Sequence, residues 1–559
     1  MRRAWVLPFV LAVILTGTNA LKAVVVDDTA YLLFARHLAL HPTHPYDFEL
    51  FWYNEPQPAN EILMPPVVPY WLAAGIALFG EQLFLLKLWL FPIAWLLTAS
   101  LDSLLRKFAR GKQNIGLIVL VLSPAILPQF NFMLDVPAVA FGLAAMALFV
   151  RSTDKLNFTG MIAAGFLAGV AMQTKYTQLV IPAVFAAYGL CQRRWLPPLV
   201  AIGAAAIAFA GWEAIVQARC GQSHFLIHFR ETAGSGDSNS GFFTRILKRF
   251  DEAPSLISQL GGVALGFALW GLRIAGVARW LLPVFAAFAL IPLGFFAFLP
   301  YSRAGDPAWF FFLLGIASLL GTASFLSRFL VVPSKHRMLP WLWSRDTAFL
   351  VLWLLVELGG TMVLSPFSAA RRVIGVALVI GLIAARGISR FDRIPGHRTP
   401  KWLAVVAVAW GIALTAIDTW DADAEREAVV NARKLIPETP GGTIWTTGHW
   451  GYQYYADIHG MTQLVPDKVE NGELVVRWQP KPGDWLVMPV MPDLKEGWFY
   501  RPWPPMPKLP EGLNLRAVGD VVIDDRFPAQ TVPNMYGGQY VIRGRDYPRL
   551  KLTIYRIGE

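Results

Sequence analysis

An all-α polytopic membrane protein with a C-terminal α/β domain is the fold that three observations predict. Of the 559 residues, 55% are hydrophobic and only 16% are charged, where soluble domains carry about 25% charged residues. Apolar runs recur from residue 4 to residue 418, separated by short loops that hold most of the Lys and Arg. After Thr419 the character changes, and residues 420–559 are polar, proline-rich and marked by short strand patterns. The net charge of +11 comes from 49 Lys and Arg against 38 Asp and Glu. Its position between apolar runs is that of positive-inside charge, so no nucleic-acid partner is expected. Cys191 and Cys220 flank one apolar run at opposite ends and should not pair.

Taken in order, residues 4–25 form a first span. Thr18-Asn-Ala20 could end a signal peptide, but the apolar run continues to Val26 and favours an uncleaved anchor with its N-terminus inside. Residues 27–81 are then an outside loop, with an interfacial helix from Tyr31 and an ordered, proline- and aromatic-rich stretch from His41 to Pro58. Residues 65–80 are short for a span, and Arg106, Lys107, Arg110 and Lys112 belong inside, so 82–105 is the second crossing. Further runs at 114–133, 136–150, 159–174, 176–190, 195–218, 255–272, 280–299, 308–330, 346–364, 373–385 and 402–418 bring the total to about thirteen. Residues 1–419 are thus the membrane domain. Residues 420–559 are a second domain on the side of Asp27, with a helix over 422–435 and strands at Thr443–Thr447, Asp484–Met488, Gly538–Ile542 and Lys551–Tyr555.

This topology brings Asp27, Asp28, Asp135, Lys175, Arg303, Arg371 and Arg372 to one membrane face. Cations at helix ends can simply snorkel to lipid phosphates. An acidic pair directly after a span has no such use and reads as functional. Asp135 could either cap the helix beginning Val136-Pro137 or take part in chemistry. A carboxylate there can deprotonate a hydroxyl acceptor, and the cations can hold a phosphate leaving group. No Walker A or Rossmann fingerprint is present, which favours a lipid-phosphate donor over a nucleotide. His224 and His228 have the i, i+4 spacing of metal ligands, but no third ligand is evident and a packed pair is the simpler reading. Residues 233–241 could be a lid or a plain loop. Trp and Tyr in the tail could stack on sugars or fill a core. Within spans, Lys87 can snorkel, while Glu357 has no evident use.

The order of these motifs resembles the GT-C glycosyltransferases, in particular the bacterial relatives of protein O-mannosyltransferases and of the lipid A aminoarabinose transferase. The resemblance is carried by Asp27-Asp28-Thr29-Ala30-Tyr31 with Ala35-Arg36, by Met64-Pro65-Pro66, by Met133-Leu134-Asp135-Val136-Pro137, by Gln173-Thr174-Lys175-Tyr176 and by Ala370-Arg371-Arg372-Val373. The aminoarabinose-type members often have Arg before the Tyr and Lys or His before Pro-Pro, where this chain has Ala30 and Met64, and Arg372 replaces a Tyr. The resemblance implies a bacterial inner-membrane enzyme with its C-terminal domain in the periplasm. It implies a polyprenyl-phosphate sugar as donor, inverting transfer to a lipid, glycan or protein acceptor, and Asp27 as base. Asp28 and Asp135 would orient the acceptor or tune Asp27. Lys175, Arg303, Arg371 and Arg372 would bind the donor phosphate. No cofactor is implied with certainty, and a divalent metal is possible. The alternative is a non-catalytic carrier or flippase for the same lipid, which would need charged residues midway in spans.

Overall fold

The structure is a computed structural model that describes residues 5–52, 55–234, 251, 253–264, 269–270, 273, 308–331, 344–365, 369–393, 398–438, 441–470, 473–490, 509–524, 529–532, 541–542 and 549–558. The expected span 280–299, Arg303 and most of the 233–241 stretch lie outside the described residues.

Helices dominate up to Leu435. The first is α1 (Val6–Ala20), which packs against α6 (Phe91–Phe108) and is continuous with the acidic turn before α2 (Asp28–Leu40). A hairpin of β1 (Glu49–Trp52) and β2 (Glu55–Pro58) and a single turn, α3 (Ala59–Ile62), follow. Helix α4 (Val67–Phe79) lies against α2, and its N-terminus follows Pro65-Pro66, whose fixed φ suits a helix start. It ends at Gly80, which adopts φ +66° and stops the helix where a side chain would be strained. Short α5 (Leu83–Trp89) runs into α6 with only a break at Leu90.

Among the described residues six helices are long and apolar enough to cross a membrane: Leu83–Phe108, Asp135–Lys155, Leu196–Cys220, Arg345–Leu364, Ala370–Phe391 and Trp402–Leu435. Four shorter apolar helices accompany them. The expected count of about thirteen is not confirmed among the described residues, and in two regions the expected runs are not single long helices. The run 114–133 is helical only in α7 (Gln113–Val121). Pro124 and Pro128 lack the N–H that a helix needs, so the chain turns irregularly while staying buried. Its carbonyls are satisfied from α1 and the turn beyond: the Asn19 side chain donates to the Leu127 carbonyl at 2.8 Å, and the Lys22 amine donates to the Pro128 carbonyl at 2.8 Å. Irregular backbone at membrane depth persists only with such internal partners. Elsewhere, α9 (Phe158–Met172) and α10 (Ile181–Gln192) are short and separated by a 3-10 turn, Tyr176–Val180.

Beyond α8 (Asp135–Lys155), α9 and α10, the long α11 (Leu196–Cys220) leads to α12 (His224–Gly234), a helix in what reads from sequence as loop. Then come α13 (Ala253–Val263), α14 (Ala308–Val331), α15 (Arg345–Leu364), α16 (Ile374–Phe391) and α17 (Trp402–Leu435). The last expected span and the expected helix over 422–435 are one continuous helix, α17, of 34 residues, about 51 Å at 1.5 Å per residue. Its C-terminal half packs on a five-stranded mixed sheet. The sheet order is β4 (Thr462–Gln463), β3 (Ile444–Thr446), β5 (Trp485–Val490), β7 (Leu550–Gly558), β6 (Asn514–Ile523). Strands β3, β4 and β5 are parallel, and β7 runs antiparallel to both β5 and β6. Helix α18 (Trp450–Ile458) projects from the end of β3 onto α2.

Candidate functional site

Four of the predicted residues meet at the end of the helical bundle. Asp27 follows the turn out of α1, Asp135 opens α8, Lys175 lies between α9 and the 3-10 turn, and Arg371 sits in the 3-10 turn Ala370–Val373 that opens α16. Four distant sequence positions thus converge because each lies at or within a few residues of the end of a helical element. The Arg371 guanidinium donates to the Asp27 carboxylate at 2.7 Å and lies 3.8 Å from the Asp135 carboxylate. The other Asp135 oxygen pairs with the Lys175 ammonium. Arg371 also reaches the Met133 sulfur at 3.3 Å, and Arg372 stands beside it, close enough for its charge to act on Asp27, Asp135 and Tyr31.

Burial divides the cluster. The side chains of Lys175, Asp135 and Arg371 are 5–6% exposed, whereas Asp27 is 23% exposed. Asp27 is therefore the carboxylate that an incoming group can reach. Buried charges persist only when paired, and removing one partner is far costlier than for a surface pair. Burial, joined by the Arg372 and Arg371 charges, outweighs Asp135 and brings the Lys175 amine down to about 7. Asp135 does not cap its own helix, since its side chain is engaged by Lys175.

Asp28 points elsewhere. It is fully buried, accepts from the Val25 backbone N–H at 3.3 Å, and has Lys87 and Lys22 as its cationic neighbours. Burial pushes its carboxyl up to about 6. The structure thus separates the acidic pair: Asp27 faces the cluster and Asp28 faces the interior. Lys87 does not snorkel as expected. It is 2% exposed and lies over the Phe132 ring at 4.9 Å, because α5 packs inward against the irregular 122–134 segment. Glu357 is also inward, accepting from the Trp353 indole at 3.0 Å. His224 and His228 are a packed pair: their Nε2 atoms are 3.2 Å apart and both lie against the Leu63 carbonyl. Among the described residues no group of three or more His, Cys, Asp or Glu could hold a metal ion.

What the sequence left unread is how the C-terminal sheet region grips the acidic turn. The Val24 N–H donates to the Tyr455 hydroxyl at 2.8 Å, and the Thr29 hydroxyl donates to the Trp450 carbonyl at 2.7 Å. Gly451 is needed here, since a Cβ would come within 2.5 Å of the Val24 carbonyl. Val26 has φ +43° and Trp450 has φ +61°, values that are costly for a β-branched and a bulky residue. Such strain collects at functional sites and persists only where surrounding contacts enforce it. His449 packs edge-on to Trp52 at 4.2 Å, and burial lowers its imidazole to about 4. Arg36 joins Glu81 and Asp457, tying α2 to α18. Deeper down, Lys22 and Asp418 form a buried pair that fastens the acidic turn to α17. The signal for this grip was the run Thr447-Gly448-His449-Trp450-Gly451-Tyr452, but nothing in its spacing names a partner.

Residues 64–213 match the family model for dolichyl-phosphate-mannose-protein mannosyltransferase. The chain resembles the GT-C glycosyltransferases. The matched stretch includes Asp135 and Lys175 and stops short of Asp27 and Arg371. Among solved structures, the Archaeoglobus fulgidus oligosaccharyltransferase tethered to an acceptor peptide aligns at 13% identity and TM-score 0.46, over 82% of this chain and 63% of that one. The chain thus spans less than two thirds of that enzyme's length. ArnT from Cupriavidus metallidurans bound to undecaprenyl phosphate aligns at 14% identity and TM-score 0.37, over 87% of this chain and 93% of that one. No curated protein matches the chain in sequence.

Proposed function

We propose that the protein is an integral membrane glycosyltransferase that moves a sugar from a polyprenyl-phosphate carrier to a hydroxyl-bearing acceptor at the outer surface of a bacterial inner membrane. The observation that carries this reading is the chain Asp27–Arg371–Asp135–Lys175, buried at the ends of apolar helices with Asp27 alone open to approach. Asp27 takes the acceptor hydroxyl proton while that oxygen bonds to the sugar C1. The bond from C1 to the phosphate oxygen breaks, and the polyprenyl phosphate leaves with the electron pair. Lys175, Arg371 and Arg372 stabilise its charge in a site of low dielectric. Asp135 holds Lys175 and Arg371 in place between turns. Asp28 acts as a positioning residue that fixes the strained turn at Val26, not as a second base.

The family model matched over residues 64–213 is described by a dolichyl-phosphate-mannose donor, which supports this donor class. The test is transfer from labelled polyprenyl-phosphate sugars to a native membrane extract, with wild type beside Asp27→Asn. Label should move only with the wild type, and the labelled product identifies the acceptor. Equal transfer by both proteins would remove Asp27 from the base role. Absence of transfer from any donor, with lipid-linked sugar crossing reconstituted vesicles, would favour a carrier, for which Lys87 and Glu357 inside the bundle are the candidate residues.

A further inference from the structure

We propose that a hollow between the first loop and the end of α11 is a carbohydrate-binding site, distinct from the Asp27 cluster. It is a hollow of about 180 Å³ between residues 42–47, Tyr70 and the last turns of α11. Three of its walls are aromatic, from Tyr46, Tyr70 and Trp212, and the rings of Tyr70 and Trp212 meet edge to face at 6.3 Å. Asp47 and Arg219 stand at the exposed rim. Concave aromatic walls with a few polar groups are the usual form of a small-molecule site.

Two polar atoms decide the ligand's chemistry. The Tyr46 hydroxyl and the Trp212 indole N–H are both buried and have no hydrogen-bond partner. Tyr46 is only 5% exposed, and its ring is held by stacking on His224 at 4.7 Å and by Phe34 at 5.4 Å. The nearby Glu213 carboxylate already accepts from Gln173 at 3.2 Å, Tyr176 at 3.1 Å, Ser223 at 2.8 Å and the Phe225 backbone at 2.9 Å. A buried hydroxyl or indole N–H left without a partner is destabilising, and a ligand that pairs with it removes that cost.

A sugar answers every feature at once. Its apolar C–H faces pack on the rings, while its hydroxyls accept from Trp212, exchange hydrogen bonds with Tyr46, donate to Asp47 and accept from Arg219. An acyl chain offers the indole no acceptor. A phosphate would face the Asp47 carboxylate with Arg219 as the one cation among the rim residues named. The site goes beyond the transferase reading and does not depend on it.

The test uses the full chain in phosphatidylcholine nanodiscs, titrated separately with mannotriose, chitotriose, cellotriose and inorganic phosphate and followed by saturation-transfer NMR. At least one trisaccharide should bind saturably to wild type and equally to Asp27→Asn. Tyr46→Phe and Trp212→Phe should each weaken it about fivefold or more. Asp47→Asn, at the exposed rim where folding is not at stake, should weaken it as well. Binding of none of the three sugars, unchanged affinity in these three variants, loss of binding in Asp27→Asn, or saturable phosphate binding in place of sugar would each overturn the proposal.

Discussion

Cations gather at both ends of α8, and the two ends treat them differently. Near its C-terminus, Lys107 meets Asp154 at 2.6 Å with side chains 32% and 40% exposed, and Lys112, 33% exposed, meets the less exposed Asp392 at 2.5 Å. Arg386 is buried there, but it donates to the Phe108 carbonyl at 2.8 Å and to Ser344 and Thr347, so it closes helix ends. At the N-terminus, about 28 Å away by helix rise, Asp135, Lys175 and Arg371 are shut away from water and joined to one carboxylate that is not. The first end shows what topogenic charge looks like: exposed and locally paired. The second end departs from that pattern, and the departure marks the candidate chemistry.

Four substitutions would break or sharpen this contrast. The largest effect is expected from Asp27→Asn, which should lower the transfer rate about 10²–10⁴-fold with the fold intact; single-turnover label transfer measures it. Next, Asp418→Ala leaves Lys22 buried without its carboxylate and should cost about 3–5 kcal/mol, read as a lower thermal unfolding temperature. Asp28→Asn should reduce transfer by no more than about tenfold, the worth of a positioning hydrogen bond. A loss as deep as that of Asp27→Asn would make the pair a functional unit after all. At the opposite end, Lys107→Ala should change stability by about 0–1 kcal/mol and leave transfer unaltered; a larger change in either would erase the distinction between the ends.

The Lys175 environment also sets a pH dependence. With its amine near 7, Lys175 is cationic below that pH and neutral above it. Donor affinity should therefore fall as pH rises through about 7, seen as a rising KM for the polyprenyl-phosphate sugar. Lys175→Arg keeps its charge throughout this range and should flatten the rise. A KM equally steep in both proteins would assign the titration to another group.

The sequence revealed much of this because polar residues at the ends of apolar runs are conspicuous. Asp27, Asp135, Lys175 and Arg371 were all legible as members of one face, since topology alone counts them to the same side. Depth was not legible. Asp27 and Asp28 are chemically alike and adjacent, and only the strained turn at Val26 sends one outward and the other in. Lys87 looked like a snorkelling residue because its neighbours are apolar, and the inward packing of α5 decides otherwise. The run 114–133 passed as a span because hydropathy does not register that Pro124 and Pro128 forbid a helix, or that Asn19 and Lys22 supply the missing hydrogen bonds. The grip of Trp450 and Tyr455 on residues 24–29 joins positions more than 400 apart, beyond the reach of local pattern.

The most direct test of the Asp27 cluster is to separate binding from chemistry in one protein. Binding of undecaprenyl phosphate to Asp27→Asn and to wild type, measured side by side by native mass spectrometry, should agree within a few-fold, while Asp27→Asn transfers sugar at least about a hundredfold more slowly. Loss of lipid-phosphate binding in Asp27→Asn, or transfer at the wild-type rate, would contradict a division in which Asp27 is the base and the buried cations hold the phosphate.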